Sequence, residues 1–79
     1  MNERYVIEKI GEGWFTGIDY EGTGGPAFCP EAECVRDSAA VLFRTEAEAF
    51  TRLTELYREC KNMQGVYSVR RLIFIGSTN

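Results

Sequence analysis

The sequence contains no histidine among its 79 residues. Absent with it are the usual general base, the commonest metal ligand and the side chain that changes charge near neutral pH. Cysteine is scarce: three thiols cannot all pair internally, so the expected setting is the cytoplasm, where thiols stay reduced. No uncharged apolar run approaches the ~20 residues that a membrane span needs. Met1-Asn2-Glu3-Arg4 carries charge but no apolar core of signal-peptide length. Excess positive charge is also missing. Nine basic against twelve acidic side chains leave −3, the wrong sign for a phosphate-neutralising surface. These absences count against histidine chemistry, membrane insertion and direct nucleic-acid binding.

What is present is the composition of a small globular chain, 44% hydrophobic and 27% charged. One domain of this length hides only about 60% of the surface that its unfolded form exposes.

The apolar pattern predicts a β-hairpin over residues 5–20. Tyr5 to Ile10 and Trp14 to Tyr20 flank Gly11-Glu12-Gly13, and glycine supplies the positive φ of a tight turn. Residues 21–38 hold Gly22, Gly24, Gly25, Pro26 and Pro30 among acidic and small side chains, which predicts a long acidic loop. Residues 39–43 read as a short third strand. Thr45 and Glu48 form a T-x-x-E capping box at the start of a helix over 46–61, with Ala49, Phe50, Leu53, Leu56, Tyr57 and Cys60 at helical spacing. Residues 66–75 read as the last strand.

The predicted fold class is therefore α+β. About four strands, in chain order β-β-β-α-β, form a small, mostly antiparallel sheet with one helix packed on one face. The helix between the third and fourth strands leaves a parallel, right-handed crossover open for that pair. Apolar residues stand on both faces of the strands: Trp14, Ile18 and Tyr20 oppose Phe15, and Tyr5 and Ile7 oppose Val6 and Ile10. The loop, a second copy or a partner must cover the face that the helix leaves open.

Three constellations bear on function. Gly11-Glu12-Gly13 resembles the glycine-rich hairpin of protein kinases, but Thr16 stands where the third glycine belongs and no other kinase motif follows. Cys29 and Cys34 are spaced C-x4-C, and with Cys60 as the only further cysteine they fall short of the four ligands of a zinc site, so no metal or other cofactor is expected. The third is charge. Residues 12–37 sum to −5, through Glu12, Asp19, Glu21, Glu31, Glu33 and Asp37 against Arg36 alone, while residues 38–79 sum to +2. Such a run keeps a loop solvated. It also makes an acidic face for a basic protein surface, with Trp14, Tyr20 and Phe28 in the same stretch as apolar anchors. Arg70 and Arg71, adjacent in a strand, point to opposite faces and form no basic patch.

In size, in its Tyr5–Gly17 opening, in its acidic loop and in its closing helix and strand, the whole chain resembles the anti-CRISPR proteins of phages and mobile elements. The likeness is to small inhibitors of type I effector complexes, subtype I-C included, and it involves no diagnostic motif. It implies a non-catalytic inhibitor in the host bacterial cytoplasm that binds the guide-loaded surveillance complex or its nuclease. The expected partner is a protein with a basic surface, met through Asp19, Glu21, Glu31, Glu33, Asp37, Trp14, Tyr20 and Phe28. The chain itself is expected to be a monomer or small homo-oligomer. The alternative is a structural, self-assembling phage protein that uses an open sheet face.

Overall fold

A computed structural model describes residues 2–19, 21, 22, 24–60 and 63–74. Its elements in chain order are β1 (Asn2–Lys9), β2 (Gly13–Ile18), β3 (Pro26–Cys29), α1 (Glu31–Asp37), α2 (Glu46–Glu59) and β4 (Tyr67–Phe74). The strands form one sheet in the order β3-β2-β1-β4, every neighbouring pair antiparallel. The fold is α+β, as the apolar periods predict, with two helices instead of one. Among the described residues no helix is long and apolar enough to cross a membrane.

The first hairpin turns where the glycines stand. The Glu12 N–H donates to the Lys9 carbonyl at 3.0 Å, and Gly11 and Gly13 take φ of 90° and 129°. At Gly13 a Cβ would also run into the Cys29 carbonyl, so this corner is closed to larger residues twice over.

Residues 21–38 are not one loop. The glycines make a second hairpin turn: the Asp19 carboxylate accepts from the Gly22 N–H at 2.9 Å, and the Gly24 N–H donates to the Asp19 carbonyl at 2.8 Å. The chain then runs through β3 and α1. Pro26 is tolerated because it begins an edge strand.

Residues 39–43, read as a strand, form a single bridge instead. Phe43 exchanges both backbone hydrogen bonds with Tyr5 at 2.8 Å, and the Val41 N–H donates to the Phe15 carbonyl at 3.0 Å. This stretch lies in the fork where β1 and β2 part company, their paired register being Glu8 with Trp14 and Lys9 with Gly13. The closing strand pairs with β1 over its full length, from Asn2 opposite Phe74 to Lys9 opposite Tyr67. Since the Phe43 bridge is also antiparallel to β1, residues 39–43 and the closing strand run in the same direction with α2 between them, but they flank β1 and do not pair with each other. The closing strand's expected end at Ile75 lies outside the described residues, as does Lys61 at the end of the expected helix.

Because successive strand residues face opposite ways, each strand feeds two cores. Ile7 and Phe15 pack with Ala49, Leu53 and Leu56 of α2, while Val6 and Trp14 pack with Cys34 of α1. A bulge between Phe15 and Gly17 shifts the alternation, so that Ile18 joins Phe15 on the α2 side instead of opposing it. The second face is thus partly covered from within the chain, by the helix in the expected loop. On α2 the buried stripe is Ala49, Leu53 and Leu56; Phe50 and Tyr57 stand about half exposed beside it.

Candidate functional site

Three of the carboxylates singled out in the sequence, Glu31, Glu33 and Asp37, stand on α1. This helix has Pro30 at its N-cap and no side-chain cap, and at two turns it is too short to hold on propensity alone. Cys34, 2% exposed, fixes it to the sheet. The Cys34 thiol donates to the Cys29 carbonyl at 3.3 Å. Burial first, and then the neighbouring Cys29 thiol, push its pKa up to about 11.

The carboxylates are only partly free. Glu31 accepts from Arg70 at 2.9 Å, and the same guanidinium lies 3.6 Å from Glu8. Asp37 is held by Arg36 at 3.0 Å, which in turn raises the Arg36 pKa. Glu33 accepts from the Cys29 thiol at 3.8 Å and has no ion pair among the described residues. Asp19 is occupied by the β2–β3 turn, and the exposed Glu21 has no ion pair among the described residues.

The apolar anchors are not brought together. Trp14 is buried under α1, 4% exposed, with the Arg70 guanidinium 5.7 Å from its ring. Phe28 lies on the other side of the sheet, 6.0 Å from Phe15 and 5.7 Å from Tyr67, centroid to centroid. Tyr20 lies outside the described residues. The seven described contact residues therefore divide among the α1 face, the β2–β3 turn and the α2 face.

Two concavities flank the sheet. On the α2 side a groove of about 520 Å³ is lined by Lys9, Phe28, Cys60, Met63 and Tyr67 among others. Lys9 Nζ sits 5.7 Å and 5.8 Å from the Phe28 and Tyr67 rings, but it is already held by Glu12 at 2.7 Å, the main cause of its raised pKa. On the α1 side a groove of about 270 Å³ is lined by Trp14, Cys34, Val35, Leu42, Leu72 and Ile73, with Ala40 and Ser38. Val35 is 67% exposed, and Leu42 and Ile73 are nearly half exposed.

Val35, Leu42 and Leu72 are residues of this face that the sequence reading did not single out, and Arg70 is one that it set aside. Val35 and Leu42 are single apolar residues in segments without helical period, and their juxtaposition depends on the chain turning back under α1. The arrangement offers apolar surface beside a helix with three carboxylates, a chemistry of contact. Compared with known proteins, the chain matches no family model, no curated protein and no solved structure.

Proposed function

We propose that this chain is a non-catalytic binding protein that inhibits a CRISPR-Cas surveillance complex by docking its acidic α1 side on the complex's basic, DNA-binding surface. The observation that carries the docking is the incompletely covered α1 face. Val35 and Leu42 remain exposed around an apolar groove, next to Glu31, Glu33 and Asp37. Exposed apolar surface of this kind marks interaction sites, and apolar anchors supply affinity where rim charges supply register and encounter rate. Effector complexes hold nucleic acid in positively charged channels, and the resemblance of the whole chain to small type I inhibitors names the class of target.

The test is direct. A purified type I effector complex is mixed with the chain, and binding of target DNA is followed by mobility shift. Inhibition is expected at stoichiometric chain. The variant Glu21→Lys, Glu31→Lys, Glu33→Lys, Asp37→Lys, checked for folding by circular dichroism, is expected to lose it; Val35→Asp alone is expected to weaken it at least tenfold, as loss of a buried anchor does. Full inhibition by the folded four-site variant would overturn the reading.

A further inference from the structure

The two edges of the sheet are finished differently. At one edge β3 is four residues long, begins with Pro26 and adjoins the bulge at Phe15/Gly17. Short length, proline and a bulge are the devices by which edge strands are kept from pairing with other chains. At the other edge β4 runs eight residues, and all eight are in unbroken register with β1. It contains no proline, glycine or lysine.

The register says which backbone groups point outward. Tyr5 turns its N–H and carbonyl toward Phe43, and the Ile10 N–H donates to the Val66 carbonyl at 2.9 Å. In an antiparallel ladder residues alternate in direction. On β1 the even-numbered residues therefore face β4, and on β4 the even-numbered residues face β1. Tyr67, Val69, Arg71 and Ile73 are left with both backbone groups aimed away from the sheet, and none has a hydrogen-bond partner there among the described residues.

The arginines of this strand are the obvious guard, but neither presents a free charge. Arg70 is held by Glu31 at 2.9 Å and approaches Glu8 at 3.6 Å, while Arg71 is held by Glu3 at 3.2 Å. We propose that β4 is a pairing edge for a second copy of this chain, two β4 strands joining antiparallel into one eight-stranded sheet. The two-fold axis lies at Arg70, which overlaps Tyr67 through Ile73 of each copy, seven of the eight strand residues, and sets outward-facing residues opposite one another. Tyr67 then meets Ile73 of the second copy, and Val69 meets Arg71, each in an outward hydrogen-bonded pair. An aromatic side chain across from a β-branched one is a favourable cross-strand pair. Arg70 meets its own symmetry mate, and the repulsion of two like charges there is offset by the Glu31 and Glu8 carboxylates that each guanidinium already has in its own copy.

The pairing stands independently of the docking reading. If both hold, the two α1 faces lie on the same side of the joined sheet, and a double target surface is gripped by two contacts at once.

The test is the mass in solution, measured by light scattering after size exclusion at about 200 μM chain, since assembly follows concentration. Twice the 9.0 kDa chain mass is expected. Arg71→Pro removes an outward N–H from each copy and leaves the ladder to β1 intact; it is expected to weaken association about tenfold or more. Arg71→Ala loses the Glu3 pair but keeps the N–H, and is expected to remain a dimer. A monomeric wild type, or an Arg71→Pro variant as dimeric as wild type, would overturn the proposal. Should Arg71→Pro fail to fold, amide exchange of wild-type Val69 and Arg71 decides: slowing with concentration is expected, and exchange indifferent to concentration refutes.

Discussion

Trp14 and Cys34 share one small core, and each bears a cost of being there. The Trp14 indole N–H is buried and finds no acceptor among the described residues, a penalty of about 1–3 kcal/mol that the burial of its ring must offset. Arg70, over the ring, contributes a cation–π contact. Cys34 holds its proton more tightly in the folded chain than in an unfolded one, at about 11 against 9.0. Below the lower value both states are neutral at this position. Between the two, the unfolded chain ionises while the folded chain does not, so stability falls as pH rises through that window. Urea unfolding across this range should show a decline that is shallower in Cys34→Ala, measured against that variant's own stability at neutral pH. Equal slopes would count against the shift.

At the scale of elements, α2 shows how a cap seen in sequence is built. The Glu48 N–H donates to Thr45 Oγ1 at 3.1 Å, as a capping box requires, but the Glu48 carboxylate accepts from the Arg44 N–H at 3.1 Å, one residue ahead of the cap. Thr45→Ala should lower stability by about 1 kcal/mol, read as a shift of the urea midpoint with unchanged slope. The first hairpin, α2 and the long closing strand were legible because each carries its own signal: glycines between β-rich runs, a cap before a helical stripe, and alternation over many residues. Elements β3 and α1 carry none. Pro-Ala-Phe-Cys is four residues between turn formers, and α1 depends on Cys34 reaching Trp14, a contact invisible to local pattern. Residues 39–43 err the other way. Their strand-like composition is real, but only Phe43 pairs with a strand as a bridge. Of the expected contact residues, Glu31, Glu33 and Asp37 were singled out by charge, and the structure sets them on one helix. The separation of Trp14 from Phe28 follows from a pairing that charge does not report.

At the scale of the whole molecule, an uneven charge is laid over two unlike faces. The α2 face carries the larger core, and the α1 face carries Glu31, Glu33 and Asp37 beside the open apolar groove. The docking proposed for the α1 face would join two contributions with different responses to salt. Attraction between exposed charges is screened beyond a Debye length of ~10 Å at 0.1 M, while apolar contact is not weakened in that way. Binding to the effector complex should therefore slow in association as salt rises, with dissociation changing less, as surface resonance would record. Association rates indifferent to salt would leave the carboxylates without a part in encounter.

The stretch at 40–43 ties the two sides of the molecule together. Ala40 belongs with the small core, while Val41 and Phe43 belong with the large one, the alternation of an extended segment. It lies in the fork between the first two strands, after the helix of one layer and before the helix of the other, so a single stitch from Phe43 to Tyr5 fastens both layers to the sheet between them.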